Sequence, residues 1–195
     1  MMSTEDQRAV NERLKETWLS SNRRIPSGRN IIYTYLACLF PIQVWSIYNL
    51  LYEVPGWSRQ MSGWDVIGIV SYTQVFVLFE SIVIFLPLLF LSALLPAGWF
   101  KDKFVALSTV IVYVSSVWFI LAHLNDVTLY TWGPKQLLPW IGLFLVSQIL
   151  FFSLIHANQK LESVIVSFVN QVAVLSTVYL FFGLLSVLII VIRNI

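Results

Sequence analysis

Apolar residues fall along the chain in five long runs separated by short polar or turn-forming breaks. The runs cover about 30–52, 66–95, 104–124, 137–157 and 164–192. A helix that crosses a bilayer needs about 20 mostly apolar residues, and each run meets that length. The breaks carry Val54-Pro55-Gly56, Pro96-Ala97-Gly98, Trp132-Gly133-Pro134 and the polar stretch from His156 to Glu162. Glycine and proline are the expected punctuation at such places. The pattern predicts an all-α integral membrane protein with five transmembrane helices. The second and fifth runs, at about 45 Å as helix, exceed a hydrocarbon core of about 30 Å, so they must tilt, kink or project. Pro41 and Pro87 each remove a backbone donor inside a run and are candidate kink points.

Residues 1–29 form a separate polar segment with no early apolar stretch of the kind that opens a secretory signal. Thr4 and Gln7 stand at capping-box spacing, and Glu5 and Asp6 suit the positive end of a helix dipole. Val10, Leu14 and Trp18 then repeat every fourth residue. The expectation is a short amphipathic helix on the inner leaflet or docked on a partner. The plain alternative is a solvated helix with one narrow apolar stripe.

Charge sets the orientation. Arg8, Arg13, Lys15, Arg23, Arg24 and Arg29 precede the first run, and Lys101, Lys103 and Lys160 lie in the loops of the same side. The opposite side has Arg59, Lys135 and Arg193. Nine basic residues against three predict a cytoplasmic N-terminus and an outer C-terminus, in a plasma (inner) membrane. Arg23, Arg24 and Arg29 would form a basic collar at the inner headgroups. Five spans with the N-terminus inside and the C-terminus outside resemble, in architecture alone, the membrane portion that precedes extracytoplasmic catalytic domains in some envelope enzymes.

Composition sharpens the class. Of 195 residues, 58% are hydrophobic, 15% aromatic and 11% charged, with a mean hydropathy of +0.78. A soluble domain carries about 25% charged residues, so the composition excludes a soluble enzyme, a nucleic-acid binder and a disordered tail. One cysteine, Cys38, allows no internal disulfide. No phosphate-binding glycine loop, HExxH, CxxC or nucleophile elbow is present, so no catalytic residues, metal or cofactor are expected. His123 and His156 fall at opposite membrane faces and read as interfacial anchors.

Glu80 is the only charged side chain inside any of the five runs. A carboxylate near the bilayer centre is costly, so it must be protonated, hydrogen-bonded or facing water. Counting rise along each run brings Gln43, Ser115, Ser116, Gln148, Ser176 and Thr177 to a similar middle depth. Such a layer either glues the helices together or lines a proton or ion path centred on Glu80. The outer loops hold Trp57, Arg59, Trp64, Tyr130, Trp132 and Trp140. These form an aromatic belt at the headgroups or anchors for protein contacts.

The leading expectation is a non-enzymatic multi-pass subunit of a larger assembly, homomeric or heteromeric, whose partners are the lipid bilayer and other membrane subunits or copies of itself. Phe79, Val83, Phe85 and Phe90 are the expected contact face. An oligomeric channel with Glu80 near the path is the alternative, and a small membrane enzyme acting on lipid or quinone a weaker one.

Overall fold

The computed structural model describes residues 26–95 and 100–195. The expected N-terminal amphipathic helix, Arg23, Arg24 and the Pro96-Ala97-Gly98 break lie outside the described residues. What is described is helical: α1 (Gly28–Trp57), α2 (Gly63–Leu94), α3 (Phe104–Leu124), α4 (Asp126–Thr131), α5 (Pro134–Ala157) and α6 (Gln159–Asn194). Five of these are long and apolar enough to cross a membrane. The chain is a multi-pass membrane protein, and its helices run alternately between two ends. The end where α1 starts is called here the near end, the other the far end.

Local chemistry fixes the helix boundaries. Ser27 caps α1 by accepting from the Asn30 amide at 3.3 Å, Ser62 caps α2 by accepting from the Asp65 amide, and Asn158 caps α6 through the Lys160 and Leu161 amides. Gly133 starts α5, its amide donating to the Gln136 side chain at 2.7 Å. Several helix ends depart from the apolar runs, by up to five residues at the end of α1 and the start of α6. α1 continues through Pro55 to Trp57, which brings Glu53 into the helix. Proline this close to a helix end forfeits only one ladder bond, and the Ser58 amide closes the turn on the Val54 carbonyl at 2.9 Å. The six-residue α4 has no counterpart among the apolar runs, being too short to show a period.

α1, α2 and α6 pack against one another; α3 leans on α1, and α5 sits outermost against α3 and α6. The main apolar core lies in the near half: Cys38, Phe85, Leu88, Phe100, Phe104, Leu107 and Ile155 are all buried there. Phe85 is therefore not on the outward contact face. It packs edge-on against Tyr35 at 5.7 Å, while Phe79, Val83 and Phe90 do face outward. Six residues separate Phe79 from Phe85, and that turns the side chain by about 240° around the axis.

An ion pair ties helices together at each end. At the near end Lys103 meets Glu162 at 3.0 Å and donates to the Ile155 carbonyl at 2.8 Å, one of the carbonyls left over at the end of α5. At the far end Arg193 meets Asp65 at 2.7 Å and donates to the Trp64 carbonyl at 2.8 Å. Two glycines make room along the α2–α6 seam. A Cβ on Gly68 would lie 1.7 Å from the Arg193 guanidinium, and one on Gly183 would lie 2.6 Å from Leu78.

Candidate functional site

Among the described residues, three cavities lie toward the far half of the bundle. One of about 590 Å³ lies between α1 and α2. One of about 430 Å³ lies among α1, α2 and α6, and one of about 180 Å³ among α1, α2 and α3.

The largest is also the most polar in its residues. α1 contributes one stripe, Ser46, Asn49, Glu53 and Trp57, at helical intervals of three and four, with Trp45 beside it. α2 faces it with Tyr72, Thr73, Phe76 and Glu80. Glu80 marks the deep end, about 25 Å along α2 from its start. Asn49, Glu53, Tyr72 and Phe76 are exposed and form the mouth. Among the described residues no side chain hydrogen-bonds or ion-pairs with Glu80, Glu53 or Asn49. Ser46 is 7% exposed, and its hydroxyl has no hydrogen-bond partner among the described residues. Trp45 is held from behind by Tyr48, stacked at 5.5 Å, and by His123, edge-on at 5.2 Å. Tyr72 accepts from Asn194 at 2.9 Å.

The residues of the middle layer occupy separate settings. The Gln43 amide donates to the Gln74 carbonyl oxygen, joining α1 to α2. Gln148 donates to Ser115 at 3.0 Å and to the Ile111 carbonyl at 3.4 Å, joining α5 to α3. Ser116 and Thr177 turn back to carbonyls of their own helices, Val112 and Ala173. Ser176 is fully buried without a partner. None of these residues hydrogen-bonds to Glu80.

The aromatic residues of the far end also divide. Trp57 lines the cavity. Trp132 and Trp118 both pack edge-on against Trp140, at 5.7 and 4.9 Å. Arg59 and Trp64 are exposed, and Tyr130 is 91% exposed. At the near end Arg29 lies over the Tyr33 ring at 5.3 Å. His156 stacks on Phe152 at 4.6 Å. Among the described residues no group of three or more His, Cys, Asp or Glu is placed to hold a metal.

Trp45, Ser46, Asn49 and Glu53 are the residues that depth counting passes over. Their signal is the interruption of an apolar run by polar groups at 46, 49 and 53, which share one helical face. The chain matches no protein-family model, no curated protein and no solved structure at a significant level, so the site is defined by its own geometry.

Proposed function

We propose that this chain is a non-enzymatic, multi-pass subunit of a larger membrane assembly, joined through the outward face of α2. The observation that carries this reading is a seam on α2 at intervals of three and four: Phe76, Phe79, Val83, Leu86 and Phe90. All five are exposed, Phe76, Phe79 and Phe90 to 60% or more. A repeat of three and four is the spacing by which helices interlock along their length. Lipid contact requires only apolarity, whereas this seam concentrates three phenylalanines on one strip.

The second reading, an oligomeric channel, draws on a different observation. Ser46, Asn49 and Glu53 form a polar lane from the Glu80 level toward the far end, while the apolar core obstructs the near half. A path built on this lane therefore needs the near half to open or a second chain to complete it. Basic residues favour the near end as cytoplasmic, which makes the far end and the cavity mouth external.

Cysteine chemistry tests both points in a Cys38→Ser background. Phe79→Cys is expected to form a disulfide with a second chain on oxidation, and native mass should exceed one protomer. A monodisperse monomer at native expression levels, with no crosslink, contradicts the assembly. Ser62→Cys and Thr131→Cys should react with an impermeant reagent on intact cells, and Asp102→Cys should not; the reverse pattern overturns the orientation.

A further inference from the structure

The α1–α2 cavity holds two carboxylates, Glu53 and Glu80, and no Lys, Arg or His lines it. Basic side chains of the described chain stand at helix ends and in the breaks between helices, so a second copy docked in parallel brings no cation to the Glu80 level. Four aromatic side chains wall the same space: Trp45, Trp57, Tyr72 and Phe76. Aromatic faces attract cations, most strongly where water is excluded. The hydroxyl of Ser46, more than nine-tenths buried and lining the cavity, lacks a hydrogen-bond partner among the described residues. A buried polar atom left without a partner is costly, and a bound donor would remove that cost.

The cavity is also the wrong size and make-up for a metal ion. Its volume of about 590 Å³ falls in the range of small-molecule pockets, about 300–1,000 Å³. Among the described residues no group of three or more His, Cys, Asp or Glu is placed to hold a metal ion, and a divalent cation takes six or more closely spaced oxygens.

We propose that this cavity binds an organic cation: a protonated amine on an apolar or aromatic body. The ammonium group donates to the Ser46 hydroxyl, in the stretch of the cavity between Glu80 on the deep side and Glu53 on the mouth side. The body lies along Trp45 and Phe76, and Glu53 at the mouth draws the cation in. The site is lined within one protomer and shares only Phe76 with the proposed α2 seam.

The test uses the purified full chain in neutral detergent micelles and three isosteric probes: 4-phenylbutylammonium, neutral 4-phenylbutanol and anionic 4-phenylbutyrate. Calorimetric titration should give saturable binding of the ammonium at one per chain, and at least tenfold weaker binding of the other two. Glu80→Gln should weaken the ammonium at least tenfold while leaving the thermal melt near that of the wild type. Glu53→Gln, at the exposed mouth, should weaken it severalfold; it and Trp57→Leu decide the matter if Glu80→Gln does not fold. The proposal is overturned if the alcohol or the carboxylate binds as tightly as the ammonium. It is equally overturned if the folded Gln variants keep full affinity, or if no saturable binding occurs.

Discussion

Between Phe100 and Leu107 the near half has four apolar side chains at 1% exposure or less, packed with Cys38, Leu88 and Ile155. The far half, made from the other ends of the same helices, contains the three cavities and the carboxyls of Glu80 and Glu53. The two halves share a composition and differ in what their contacts achieve. In hydrocarbon, burying a leucine gains little, because lipid is as apolar as the protein interior. Near-half cohesion therefore rests on close contact between shapes, which is dispersion energy. Discrete links lie at middle depth, Gln43 with Gln74 and Gln148 with Ser115, and at both ends, Lys103 with Glu162 and Arg193 with Asp65; what the far half lacks is the close apolar packing that fills the near half.

The sharpest way to break this contrast is truncation of one aromatic in each half. Phe104→Ala leaves a cavity in the near core and should cost about 2–3 kcal/mol, chiefly through lost contacts. Phe76→Ala, at the cavity mouth, should change stability by less than about 0.5 kcal/mol. Unfolding in mixed micelles at increasing sodium dodecyl sulfate measures both, and equal losses would erase the distinction.

Next in size is the α2–α6 seam. Gly183→Val forces a side chain into Leu78 and should destabilise by about 1–3 kcal/mol. Gly183→Ala should cost less, since the Leu78 tip can move aside. A smaller effect is expected at the link between α3 and α5. Ser115→Ala and Gln148→Leu should each cost on the order of 1 kcal/mol, with a coupling of about 0.6 kcal/mol in a double-mutant cycle. A coupling of zero would mean that the bond contributes nothing in the membrane. Smallest is Arg193→Ala: the pair with Asp65 is part-exposed, and its loss should stay below about 1 kcal/mol at moderate salt. A larger loss would make the far end an ion-pair clasp rather than an open mouth.

Much of this architecture is legible in the sequence, and the reasons differ by element. Hydropathy marks the long helices because a membrane span must be apolar for some twenty residues, and α3 begins and ends where its apolar run does. It does not mark α4, whose six residues include Asp126 and two threonines. Rise per residue gives depth but not direction around the axis. Gln43 and Gln148 thus share a level but bond on different sides of the bundle. For the same reason Phe85 turns inward beside outward neighbours. Glu53 escaped notice because Pro55 reads as a helix end, which puts the carboxyl in a loop; the helix runs past it. The cavity is a product of the fold, which sets the α1 stripe and Glu80 around one space.

The most direct test of the unequal halves is the reactivity of single cysteines toward a water-soluble maleimide, in a folded Cys38→Ser background. The account predicts that Asn49→Cys and Thr73→Cys, lining the far-half cavity, react at least tenfold faster than Ser92→Cys and Ser108→Cys in the near core. Equal rates, or faster reaction in the near half, would contradict it.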